Sequence, residues 1–166
     1  MKEVSESITE LNRQLRKLEG VCIRMEGHEK ELFDMCVKYT SKGDYARAAL
    51  YADECAEVRK ILLALLKSKT ALERVLLELH TIEAPEDVVL LPKLIIVLTN
   101  LRIQLARIVP EISYEISRSI ESLSRLVKPP LELDAVAKEA EKILDEARRK
   151  AEEKLRNKPE IPKPCC

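Results

Sequence analysis

The chain has 166 residues, 29 Lys and Arg balanced by 29 Asp and Glu, 46% hydrophobic residues, three Gly, one Phe and no Trp. Charged residues at 35% with so few aromatics argue against a β-sandwich or a compact mixed fold and for long amphipathic helices, and the length suits one domain. Zero net charge gives no general pull toward nucleic acid or anionic lipid, so any such contact needs a local patch.

Val4, Ile8, Leu11, Leu15, Leu18, Cys22, Met25, Leu32, Cys36 and Tyr39 step by fours and threes, the heptad seam of a coiled coil, with Glu29 as its one break. The spacing predicts a helix over about 4–40, some 54 Å long at about 1.5 Å per residue. Gly20 and Gly27 fall opposite the seam, as soft points on an open face or as places where another subunit approaches closely. Lys42, Gly43 and Asp44 read as a tight turn. Gly43 suits the left-handed position just past a helix end, and Asp44 suits the cap of the next helix. So short a connection makes the two arms antiparallel.

The second arm is predicted over about 44–83. Ala48, Ala52, Cys55, Val58, Leu62, Leu65, Leu72, Leu76 and Leu79 form one stripe, which Ile61, Leu63, Leu66, Val75 and Leu77 widen beyond what one partner helix needs. The small residues Ala46, Ala48, Ala49, Ala52 and Ala56 suggest a close approach of the arms near the turn. Pro85, Glu86 and Asp87 mark a new start, and a helix is predicted over about 86–109. It is apolar, but Lys93, Asn100, Arg102, Gln104 and Arg107 argue for docking on the hairpin rather than for crossing a membrane.

A short helix follows over about 111–127. Lys128-Pro129-Pro130 reads as a stiff hinge, with Pro129 and Pro130 at its centre. The last helix, about 132–156, has a thin apolar stripe and three acid-first pairs at i,i+4: Asp145/Arg149, Glu146/Lys150 and Glu152/Arg156. It reads as detachable, folding back on the hairpin to hold the subunit closed. The expected organisation is a helical core over 1–128, hinge and detachable helix over 129–157, and a proline-rich extended tail over 158–166. The fold class is all-α.

Chemistry is sparse. His28 and His80 stand apart, with no phosphate loop or nucleophile elbow in the chain. Cys22, Cys36, Cys55, Cys165 and Cys166 lack zinc spacing, and the first three read as core packing. The chain reads as a non-enzyme without cofactor. Met1-Lys2-Glu3-Val4 carries no export signal, which sets a cytoplasmic expectation. Neutral charge and few aromatics argue against nucleic acid as a partner.

The run from Lys42-Gly43-Asp44-Tyr45-Ala46-Arg47 to Ala56-Glu57-Val58-Arg59-Lys60, with Ala71-Leu72-Glu73-Arg74-Val75 further on, resembles the archaeal ESCRT-III cell-division proteins of the CdvB type. The helix order agrees over nearly the whole chain. The resemblance implies a subunit that polymerises with copies and paralogous subunits into filaments, remodels and cuts membranes during cell division, and is dismantled by an AAA+ ATPase. It implies residence in the cytoplasm, peripheral at the membrane or division site. The tail residues Pro159, Ile161, Pro162 and Pro164 are similar to the proline-rich motif that such an ATPase grips, but the tail is short. The chain lacks the winged-helix-binding region of some members, so a shorter paralogue is expected. Arg13, Arg16, Lys17 and Arg24 are the basic residues that would face an anionic membrane, although Glu6, Glu10, Glu31 and Asp34 interleave with the helix's cations. Cys165-Cys166 reads as a pair of free tail thiols rather than a prenyl site. The rival reading is a non-polymerising helical adaptor in another cytoplasmic complex.

Overall fold

The turn at residues 41–45 shows how the sequence folds the chain back on itself. Gly43 sits at φ +76°. Its N–H donates to Thr40 O at 3.1 Å, and the Asp44 N–H donates to Tyr39 O at 3.0 Å. These two bonds are the Schellman closure of a helix end. The Asp44 carboxylate then accepts from Arg47 N at 3.2 Å and caps the next helix. One residue therefore closes the first helix through its backbone and opens the second through its side chain. A Cβ at Gly43 would meet nothing within 4 Å, so the cost of replacing it is backbone strain alone. Gly43→Val is expected to lower the melting temperature by several degrees, on the order of 1–2 kcal/mol or more for a β-branched residue at positive φ. An unchanged melting curve would remove this account of the turn.

The structure, a computed structural model, describes residues 2–127 and 131–157. Among them the regular elements are all helical: α1 (Lys2–Ser41), α2 (Tyr45–Leu79), a 3-10 helix (Pro85–Leu90), α3 (Leu91–Leu105), α4 (Pro110–Leu126) and α5 (Leu131–Arg156). The all-α expectation and the antiparallel hairpin hold. Two units divide the chain, Met1–Val127 with α1 to α4 and Lys128–Cys166 with α5.

The first unit is built unevenly along its length. At the base, α1 packs on α2 and α4, and α3 packs on α2 and α4. Here Leu11 and Leu18 of α1, Leu65, Leu72 and Leu79 of α2, Leu91, Leu98 and Leu105 of α3, and Ile116 and Leu123 of α4 are fully buried. Further out only α1 and α2 remain. The seam predicted on α1 continues there as half-buried Met25, Leu32, Cys36 and Tyr39. Cys22 and Cys55 are buried, and desolvation holds both thiols above their ordinary pKa, so they stay protonated.

Several boundaries differ from the sequence reading. The second arm ends at Leu79 rather than 83, because Thr81 N and Ile82 N donate to Glu78 O and Leu79 O in tight turns ahead of Pro85. The helix expected over 86–109 is two elements. Pro85–Leu90 is 3-10, and the α-helix begins only at Leu91, where Pro92 takes a first-turn position that needs no N–H donor. It stops at Leu105, and Val109, ahead of Pro110, is pushed to φ −135°. Residues Pro85–Leu105 are long and apolar enough to cross a membrane, with a mean hydropathy of 1.7, yet five leucines of α3 are buried in the base.

The alanine cluster near the turn does not bring the arms together as a group. Ala48 is buried, while Ala46, Ala49, Ala52 and Ala56 face outward. Gly20 has only the tip of Arg24 near the place of its missing Cβ, and Gly27 has open space.

The base also buries polar side chains that an apolar pattern does not reveal. Ser7 and Gln14 of α1 take the positions between Val4, Leu11 and Leu18, and Ser113 and Ser119 do the same on α4. Ser113 Oγ donates to Arg102 O at 2.8 Å and ties α4 to the end of α3. Gln14 Nε2 donates to Glu10 Oε1 at 3.0 Å.

Asp87 closes the link between α2 and α3 by accepting from Ala84 N at 2.9 Å and Glu83 N at 3.1 Å. These two bonds hold its carboxyl below the ordinary aspartate pKa. A depressed folded-state pKa gives stability that is present above the unfolded value and lost as pH falls through the folded one. The melting temperature is thus expected to fall as pH drops below about 4. Asp87→Ala should lower it at neutral pH and make the acid limb shallower. An identical acid limb in the variant would contradict the assignment.

Candidate assembly surface

Helix α2 carries a broad apolar surface, and α1 and α3 cover only part of it. Cys55, Val58, Leu65, Leu72, Val75, Leu76 and Leu79 are buried in the bundle. Ala49, Ala56, Leu63, Thr70 and Leu77 form a second row, one residue every seven, and all five are exposed. Leu63 is 55% and Leu77 70% exposed. A position repeated every seven residues stays on one side of the helix along its length, as one of the two positions of a helix–helix seam does. Lys60, Lys67 and Arg74 each stand four residues beyond a row member and line its edge, exposed. Among the described residues none of the three has an ion-pair partner. A shorter row of the same period, Val89, Ile96 and Ile103, is exposed on the 3-10 helix and α3.

Beside the α2 row lies a shallow, mainly apolar groove of ≈ 390 Å³ between the arms, lined by Phe33, Cys36, Ala52, Cys55, Ala56 and Arg59. Its edge explains Glu29, the break in the α1 seam. Glu29 Oε1 accepts from Arg59 Nε at 2.7 Å and from Cys55 Sγ at 3.5 Å. The Arg59 guanidinium lies over the Phe33 ring at 5.5 Å. The hydrogen bond from Arg59 is the main cause that holds the Glu29 carboxyl below its ordinary pKa. The polar interruption is a cross-arm contact that joins α1 to α2.

The residues singled out from sequence fall in different places. Lys42, Gly43 and Asp44 form the turn. Arg13 pairs with Glu10 at 2.8 Å, and both line a polar cleft along α4 together with Lys17, Glu3, Glu6 and Glu115. Arg13, Arg16, Lys17 and Arg24 are all exposed and fall on one side of α1, with Arg13 and Lys17 at the edge of the acidic cleft. Pro129 and Pro130 of the hinge, and Pro159, Ile161, Pro162 and Pro164 of the tail, lie outside the described residues, as do Cys165 and Cys166. In α5, of the three acid-first pairs, Glu146–Lys150 closes at 3.4 Å. Val136, Ile143, Leu144 and Leu155 of that helix are exposed. Among the described residues no group of His, Cys, Asp and Glu is arranged to hold a metal ion.

Over 149 residues the chain is 36% identical to a protein named cell division protein B1 of Sulfolobus acidocaldarius, an alignment covering 84% of this chain and 69% of that protein. It belongs to the archaeal ESCRT-III family, CdvB type. A second CdvB-type relative, cell division protein B of the same organism, is 30% identical over 175 residues, covering 97% of this chain and 67% of that protein. No family model matches the chain, and no solved structure does. The likeness read at Lys42 to Lys60 is thus one of family.

Proposed function

We propose that the chain is a filament-forming subunit that polymerises at membranes and acts in membrane remodelling and scission during cell division. Membership of a family whose relatives are named for cell division supports that role. The observation that carries polymerisation is the second row on α2. Ala49, Ala56, Leu63, Thr70 and Leu77 run for about 42 Å at 1.5 Å per residue, and a monomer leaves them in water. A second copy supplies a fitting partner. Glu19 and Glu26 of α1 stand seven residues apart, the spacing of Lys60, Lys67 and Arg74, so one register of side-by-side hairpins would bring these opposite charges together. Chain copies and paralogous subunits are the partners, with an AAA+ ATPase gripping the tail to dismantle the polymer. The protein works in the cytoplasm at the membrane or division site.

The test is negative-stain electron microscopy and sedimentation of the purified chain over a range of concentration, with and without anionic liposomes. Sheets, rings or tubes are expected. A small oligomer of fixed size at every concentration would replace this reading with that of a non-polymerising helical adaptor.

A further inference from the structure

At the tip of the hairpin three cations gather on one aromatic ring. Lys38 Nζ lies 5.8 Å, Lys42 Nζ 5.9 Å and the Arg47 guanidinium 5.5 Å from the centre of the Tyr39 ring. That ring is stacked on Tyr51, with centroids 5.5 Å apart and planes 7° from parallel. Three cations gathered on one ring repel each other, and the negative face of the ring offsets only part of that. The carboxylate within the turn, Asp44, is engaged as the cap of α2 and in an ion pair with Arg47 at 3.5 Å. Lys38 and Lys42 have no ion-pair partner among the described residues. Around them Val37, Tyr45 and Leu50 are exposed.

We propose that this tip, rather than the N-terminal half of α1, is the chain's contact with an anionic lipid surface. The proposal rests on the reading above that the chain works at membranes, and it says where the contact is. Lysine and arginine interleaved with tyrosine and a few aliphatic side chains is the composition of an interfacial contact. Cations meet phosphate groups while the rings and aliphatic chains enter the headgroup layer. The geometry favours a lipid surface over a peptide. The tip is the end of two bare helices, about 28 Å beyond Cys22 at 1.5 Å per residue; the shallow groove between the arms begins one turn behind it, at Cys36 and Ala52, and Lys38 and Lys42 are not among its lining. On the N-terminal half of α1, Arg13 is paired and shares its cleft with Lys17 and several glutamates, while Arg16 and Arg24 are exposed with no aromatic ring beside them among the described residues.

The experiment is co-sedimentation of the full chain with vesicles of phosphatidylcholine, with or without phosphatidylglycerol. Lys38→Ala/Lys42→Ala is compared with Arg16→Ala/Arg24→Ala, and Lys38→Arg/Lys42→Arg serves as the charge-keeping variant. Each lysine is worth about fivefold in partitioning, so the tip double variant is expected to bind phosphatidylglycerol vesicles roughly 25-fold more weakly. The arginine-for-lysine variant should bind as wild type does, and the Arg16/Arg24 variant should stay close to it. The proposal falls if the tip variant binds as tightly as wild type, or if the Arg16/Arg24 variant is the one that loses binding. It falls equally if neutral vesicles bind as well, or if soluble polyglutamate is bound in preference to vesicles. Pelleting without lipid keeps the two readings apart. A chain that assembles but ignores every vesicle overturns the tip contact and leaves the filament standing, whereas a chain that does neither overturns both.

Discussion

Leu98→Ala is expected to lower the free energy of unfolding by about 3 kcal/mol, within the range of about 2–5 for a buried leucine truncated in place. Leu98 is fully buried at the middle of α3, a helix packed on α2 and on α4. With neighbours on both sides, the site cannot collapse onto the space left by the lost atoms, which keeps the cost above the transfer term alone. Denaturant unfolding of the soluble chain measures it. The result also bears on the apolar stretch Pro85–Leu105. If that stretch left the bundle to sit in lipid, its packing in water would not matter, and Leu98→Ala would leave stability nearly unchanged.

Leu63→Glu combined with Leu77→Glu should do the reverse: little to the fold, much to assembly. Both side chains are more than half exposed, so each change should alter stability by about 0.5 kcal/mol or less. Within a helix–helix seam, however, each glutamate would be buried without a partner, unless it reached Lys67 or Arg74 at the row's edge. The concentration needed to form sedimenting polymer is expected to rise more than tenfold, with a melting temperature close to wild type. Assembly at the wild-type concentration would show that the filament is built on another face. The exposed row of Val89, Ile96 and Ile103 is then the next candidate.

Much of the hairpin could be read directly. The 3-4 stepping of α1 is regular enough to set the buried face, and a lone glycine followed by aspartate between two periodic runs has few other uses than the turn it makes. What resisted reading has physical reasons. Ser7 and Gln14 of α1 and Ser119 of α4 are buried in the base where α1 and α4 pack together, and a polar side chain on a helix gives no sign of which neighbour will cover it. The outward alanines show the same limit from the other side, since a small residue is tolerated on either face. Glu29 marked a real interruption, but its meaning depends on Arg59, thirty positions on in sequence and one helix away in space. The stretch 86–109 misled because its apolar period is continuous, whereas its hydrogen-bond ladder must restart around Pro92. The α2 row stood within the broad apolar face of the second arm. Only the observed packing divides that face into a part covered by α1 and α3 and a row left open.

The uneven depth of packing along the hairpin has a mechanical consequence. Amide hydrogens at the base are protected by four helices and should exchange with solvent only when the whole unit unfolds, whereas those between Met25 and Val58 are protected by one partner helix. That outer stretch should exchange through smaller openings, at a lower free energy and without melting the base. The molecule is in this sense a stiff handle with pliant prongs. A ring of such subunits could change its radius by flexing the prongs, and no subunit would need to unfold.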